Sequence, residues 1–323
     1  MTAPDMASPT VANRPVIAGT PVSRSALDDL AEPRRATNQT VRNLRRFLIG
    51  NRLNLVGLSL VVTFLVLSLV GETIAPHDPY GKGDIINAKL VGPSREHLLG
   101  TDELGRDVFS RILAGTRVSL QVAAVVLSIS VVVGVLVGAV AGYFGGIVDA
   151  VLRVLIDVFL SVPSLLFLIL IASLVRGVGV VEMALIIGIF AWSWPARAVR
   201  SQALSLKERP FVQVARLNGM GGTEIVGREL LPHLMAWLGA NFLNAFIAAI
   251  LAESGLSILG LGPQQEMTLG TMIYWSLSYS AIFLNLWWWW MTPVVTLMAL
   301  FLSLYLVHLG LDEVGNPRLR TQA

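Results

Sequence analysis

Few residues in this 323-residue chain are equipped for chemistry, and their spacing narrows what that chemistry is. The four histidines, His77, His97, His233 and His308, are scattered, and none belongs to the H-E-x-x-H spacing that sets two metal ligands on one helix face. No cysteine is present, so thiol nucleophiles, disulfides and cysteine metal sites are excluded. Gly81-Lys82 lacks the preceding glycine and the following hydroxyl of a phosphate-binding loop. Catalysis therefore has little to stand on, and any ATP chemistry belongs to another chain. What remains are polar groups set in apolar sequence. Asp149, Arg153 and Asp157 recur every four residues, which lines them along one helical face, either as an ion-pair ladder or as part of a translocation pathway. Asn241 and Asn244, three apart, suit hydrogen bonding between helices more than contact with a solute. Glu253, followed by Gly255, Gly260 and Gly262 where a helix can break, either lines a solute path or satisfies loose backbone groups.

The elements that must position these groups are membrane-spanning helices. Hydrophobic residues make up 54% of the chain and charged ones only 14%, against roughly 25% charged in a soluble domain, and mean hydropathy is +0.68. The stretch 53–71 is uncharged and close to the ~20 residues that cross a bilayer as a helix. Further spans are predicted near 119–142, 151–175, 180–198, 234–260 and 287–308. The fold class is therefore all-α, a polytopic membrane protein of six transmembrane helices. Pro163 and Pro195 interrupt helical hydrogen bonding inside it. Four consecutive tryptophans, 287 to 290, point in directions about 100° apart and read as an interfacial belt.

Charge orients the spans. Arg34, Arg35, Arg42, Arg45, Arg46 and Arg52 precede the first span with no acidic residue among them, which places that flank and both termini in the cytoplasm. The net charge of +3 reflects this placement rather than a nucleic-acid surface. The expected organisation is a disordered tail over 1–40, an amphipathic segment and first span over 41–75, and an extracytoplasmic loop over 76–117. A core over 118–311 and a cytoplasmic tail over 312–323 complete it. Within the loop, Leu104, Val108, Phe109, Ile112 and Leu113 share one helical face and predict a helix lying flat on the membrane.

One cytoplasmic segment, FVQVARLNGMGGTEIVGRELLP at 211–232, is unusually polar for its surroundings. Its pattern predicts a helix over Glu208 to Asn218, a left-handed turn at Gly219, and a second helix capped by Thr223 and running to Leu231 before Pro232. Such a helix-turn-helix, between spans four and five, either rests on lipid or projects toward a partner.

Gln213, Val214, Ala215, Gly219, Leu231 and Pro232 resemble, in spacing, the EAA loop of ATP-binding-cassette importer permeases, although Gln213, Val214 and Glu229 depart from its usual residues. The blocks HLLGTDELGRDVFSRILAGTRVSL, IDVFLSVPSLL, WPARAVRSQALSLKERPFVQVAR and AESGLSILGLG, at residues 97–120, 156–166, 194–216 and 252–262, are similar to the C-type permease of dipeptide and oligopeptide importers. The resemblance implies a non-catalytic subunit of the bacterial inner membrane. Its partners would be a second permease, two ATPases carrying ATP and magnesium, an extracytoplasmic solute-binding protein and lipid, with no nucleic acid and no cofactor of its own. It also implies that the polar hairpin seats in an ATPase cleft, with Phe211 as apolar anchor, Ala215 permitting close approach and Gly219 reversing the chain. The terminal HLGLDEVGNPRLR and the stretch LGTMIYWSLSYS depart from the peptide pattern and resemble oligosaccharide importers. An ion-coupled carrier is the rival from another class, but no internal repeat is seen and the intramembrane charges cluster near span ends.

Overall fold

The computed structural model describes residues 52–175, 177–263 and 266–315, with side chains described except for 52, 236–241 and 312–315. The expected tail over 1–40 and most of the C-terminal tail lie outside these residues. Every regular element among them is helical, with a single isolated bridge between Thr101 and Asp107. In chain order the helices are α1 (Arg52–Ile74), α2 (Val108–Phe144), α3 (Gly146–Ser161), α4 (Ser164–Leu174), α5 (Val180–Ala191) and α6 (Ser193–Leu206). They continue as α7 (Pro210–Leu217), α8 (Gly222–Ile225), α9 (Leu231–Leu256), α10 (Leu269–Ser278) and α11 (Trp287–Gly315). Wider π-helical turns, Val226–Leu230 and Ser257–Leu261, flank α9.

Among the described residues, four helices, within α1, α2, α9 with the π-helical turn after it, and α11, are long and apolar enough to cross a membrane, and the number rises to six when α3 with α4 and α5 with α6 each count as one bent span. The predicted third span is not straight. It breaks by 81° between α3 and α4, because Pro163 has no N–H to donate and drives Val162 into extended backbone (φ −77°, ψ 129°). The fourth span bends by 41° just before Pro195, and α6 then carries the helix on to Leu206.

α2 is the central strut. Its 37 residues extend about 55 Å, well beyond the roughly 30 Å of hydrocarbon. The flat surface helix expected over 104–113 is instead the beginning of this strut. Val108, Ile112 and Leu113 face protein and are buried, because Asp107 caps α2 through Oδ2 on the Ser110 amide (2.8 Å) and starts the helix there. Ahead of the cap, Asp102 accepts the Leu104 and Arg106 amides, each at 2.9 Å, and the Arg106 Nε at 2.8 Å. The GTDELGRD run is thus a tied loop.

Along the other half of α2, Gly134, Gly138 and Gly142 make a smooth groove for α6. A Cβ on Gly138 would stand 2.5 Å from the Ala196 carbonyl oxygen, and one on Gly142 would stand 2.6 Å from Ala203 Cβ. Ala196, Val199 and Ala203 are fully buried against it. The tryptophan run divides by direction, as its helical spacing requires. Trp289 is buried on Tyr279 (ring centroids 5.8 Å apart), Trp288 donates to the Thr101 carbonyl at 3.3 Å, and Trp287 is half exposed. These indoles join α11 to the loop and α10 more than they form a belt.

Candidate functional site

The polar segment after α6 forms the short helix α7. Arg209 is extended before Pro210, which occupies the first helical turn where its missing N–H costs nothing. The helix ends in a Schellman arrangement: the Met220 amide donates to the Ala215 carbonyl (3.1 Å) and the Gly219 amide to the Arg216 carbonyl (3.0 Å). Gly219 has φ +81°, the left-handed conformation its position predicts. The second half differs from expectation. Thr223 is not the cap. Gly221 precedes α8, and the helix runs through Pro232 into α9 without a break. The π-helical turn explains the continuity: the Leu231 amide reaches back to the Val226 carbonyl, and this wider turn makes room for a proline that cannot donate.

α7 has two faces. Val212 and Ala215 point inward and join Val135 and Ala139 of α2, Val199 and Ala203 of α6, and Leu230 and Leu234 in one apolar cluster. Leu231 packs on the rim of that cluster, and Pro232 is exposed. Phe211, expected as an outward anchor, stacks on His233 (centroids 4.6 Å apart, 14° between planes) and is half-buried by its own chain. Ala215 likewise supports internal packing, not an outside contact. The outward apolar groups are Val214 (54% exposed) and Leu217 (87% exposed), flanked by exposed Gln213 and by Arg216, whose guanidinium lies 5.4 Å from the Tyr143 ring centroid. Hydropathy alone could not sort them, since Phe211 and Leu217 read alike until α9 supplies His233.

The α3 carboxylates pair mainly across to α6. Arg200 holds Asp149 with two hydrogen bonds (2.5 and 2.7 Å), and Arg197 holds Asp157 at 2.5 Å, while Arg153 stands 3.6 Å from Asp157. The ladder lies at a half-open edge, with Arg197 and Asp157 about half exposed. Asn244 Nδ2 lies 3.3 Å from His308 Nε2, joining α9 to α11, whereas the Asn241 side chain is outside the described residues.

Glu253 is fully buried. Its carboxylate accepts from Ser257 Oγ (2.8 Å) and from Ser119 and Ser254 Oγ (3.2 Å each), and Ser119 Oγ in turn accepts the Leu269 amide at 3.2 Å. One carboxyl therefore locks α2, the end of α9 and the start of α10 at the point where the second π-helical turn breaks. The carboxylate thus meets serine hydroxyls, and it serves the backbone indirectly, through Ser119 on the Leu269 amide.

A groove of about 400 Å³ opens between these helices. Its walls come from both sides of the Pro163 break (Phe159, Leu168), from α5 and α6 (Phe190, Trp194) and from the alanine-rich face of α9 with Asn244. Among the described residues, no charged side chain lines it.

Residues 134–321 match the family model of the binding-protein-dependent transport system inner membrane component. The chain belongs to this family. A Brucella suis protein provisionally named as a peptide transport system permease is 30% identical, over 98% of this chain and 99% of its own length. The chain is also similar to the dipeptide transport system permease proteins of Alkalihalophilus pseudofirmus (31% identical, 84% of this chain and 88% of the relative) and Bacillus subtilis (33%, 75% and 78%). The matched region begins at Gly134, so the glycine groove of this inner membrane component, α7 and the Glu253 lock all fall within it. The four-residue spacing of Gly134, Gly138 and Gly142 is legible in sequence and signals close helix packing, yet it passes unnoticed beside the charged residues.

Proposed function

We propose that this inner membrane component is one of two permease subunits of an ATP-driven importer for short peptides, with both termini and α7 in the cytoplasm. The observation that carries the reading is the two-faced α7. Its outward Val214 and Leu217 offer an apolar contact in an otherwise polar hairpin, and its inward Val212 and Ala215 belong to the same packed cluster as α2, α6 and α9. A displacement imposed on α7 by two ATPase subunits, which hold ATP and magnesium, would reach three spans through close-packed side chains, which transmit strain because they have little room to yield. Burying a Leu217-sized side chain in a partner cleft contributes about 2 kcal/mol.

The uncharged groove suits peptides better than any one fixed charge would, since it makes no demand on side-chain charge. It would form this chain's half of the pathway, and a solute-binding protein would deliver to its outer end. The peptide class rests on the names of the relatives.

The absence of cysteine makes the test clean, because Leu217→Cys is then the only thiol in the chain. That thiol should be labelled from the cytoplasmic side only and should cross-link to the ATPase subunit. Leu217→Asp should abolish peptide-stimulated ATP hydrolysis while the subunit still inserts. Labelling from outside, or full stimulation with Asp at 217, would overturn the reading.

A further inference from the structure

Two histidines far apart in sequence meet in space. His77, after α1, and His97, in the tied loop, bring their rings to a centroid separation of 4.7 Å beside Asp107, the cap of α2. His97 Nδ1 lies 3.0 Å from Asp107 Oδ1, and His77 Nδ1 lies 3.9 Å from the same oxygen. One donor atom from each of the three residues falls within 4.8 Å of the others. We propose that His77, His97 and Asp107 form a binding site for a divalent transition-metal ion of the zinc class, which staples the loop before α2 to the head of that helix.

Donor spacing supports it. A tetrahedral zinc ion sits about 2.0–2.2 Å from nitrogen and oxygen ligands, so its ligand atoms stand about 3.3 Å apart. The two imidazole nitrogens stand 3.0 and 3.9 Å from Asp107 Oδ1, on either side of that figure, and all three donors lie within 4.8 Å of one another. A second observation points the same way. His77 Nδ1 is a buried atom without a hydrogen-bond partner, too far from Asp107 for one, and such an orphan is costly unless something coordinates it. The third is the support behind the donors. Asp107 commits its other oxygen, Oδ2, to Ser110 N–H (2.8 Å) and Oγ–H (2.7 Å), while the same Ser110 Oγ accepts the His77 amide at 3.2 Å. One serine thereby orients the Asp107 carboxylate, as outer-shell partners orient metal donors, and pins the backbone of His77 beside it. Two imidazoles and a carboxylate favour zinc, cobalt, nickel or copper over calcium and magnesium, which prefer oxygen ligands throughout. Three protein ligands leave a fourth position for water.

The test uses the whole transporter, purified on a tag without histidine, stripped with a chelator and loaded with Zn²⁺ in the absence of nucleotide. After gel filtration, wild type should retain one more zinc per permease chain than His77→Ala, and Asp107→Asn should lose the same equivalent. Co²⁺ loaded into unmutated protein should give the visible absorption of a four-coordinate site, a readout that needs no variant to fold. Equal zinc in wild type and His77→Ala, or a cobalt spectrum indistinguishable from the aqueous ion, would overturn the proposal.

Discussion

Arg200 on α6 reaches across to Asp149 on α3 with Nε and one terminal guanidinium nitrogen, at 2.5 and 2.7 Å, so that α3, the stretch before the 81° break, is tied to α6 by a fork rather than by apolar packing alone. Both side chains are about four-fifths covered. Removing either partner should leave the other poorly solvated. Asp149→Asn and Arg200→Ala are each expected to cost about 1–3 kcal/mol. The double variant should be less destabilised than the sum of the two, by about 1 kcal/mol or more. Thermal unfolding of the four proteins in detergent measures this, and strictly additive losses would show that the fork contributes nothing.

Gly138 decides how closely α2 and α6 approach. A side chain there meets the Ala196 carbonyl oxygen at 2.5 Å and Val199 Cβ at 2.8 Å, neither of which is a flexible end. Gly138→Leu should therefore separate the helices and cost about 3 kcal/mol or more. Gly227→Ala is the matched control, because no atom lies within 4 Å of the added methyl. If the two variants survive heating in detergent equally well, the groove does not set the helix spacing.

At Gly219 the space is open but the backbone is left-handed, with φ +81° and nothing within 4 Å of the place a methyl would occupy. Any penalty there is purely conformational, roughly 1–2 kcal/mol for an ordinary residue. Asparagine tolerates this conformation and β-branched residues do not. On the proposed coupling of α7 to ATPase subunits, ATP hydrolysis should thus fall in the order Gly, Asn, Ala, Val, with membrane insertion unchanged throughout. A valine variant as active as the asparagine variant would refute the turn as the sensitive point.

Glu253 offers a sharper contrast. Gln keeps an acceptor for the Ser119, Ser254 and Ser257 hydroxyls, which can rotate to accept from the new amide. Leu strands those hydroxyls in a buried place, at about 1–3 kcal/mol for each group left unpaired. Yield of folded protein on gel filtration should stay near wild type for Glu253→Gln and collapse for Glu253→Leu. Collapse of both variants would move Glu253 from a structural lock to a group whose charge matters, and a Leu variant as well folded as wild type would refute the lock.

Much of the frame was legible one residue type at a time. Apolar runs marked the spans, Gly219 marked the reversal, and the spacing of Asp149, Arg153 and Asp157 marked a shared face. The failures have two origins. A flat surface helix over 104–113 and a cap at Thr223 gave way to local hydrogen bonds, the Asp107 cap and the Leu231 amide on the Val226 carbonyl, whereas an outward Phe211 and a tryptophan belt gave way to partners distant in sequence. Phe211 turned to His233, and Trp288 to Thr101.

Taken alone, the order of residues determined a helical membrane protein, because bilayer thickness and backbone hydrogen bonding leave an apolar chain few choices, and its motifs carried the resemblance to this family. Tertiary structure decided which side of α7 faces outward, which carboxylate is sealed in the protein and which histidines become neighbours. Those outcomes depend on contacts between helices tens or hundreds of residues apart, such as Ser119 with Glu253, and no periodicity within one helix encodes the angle at which another will cross it.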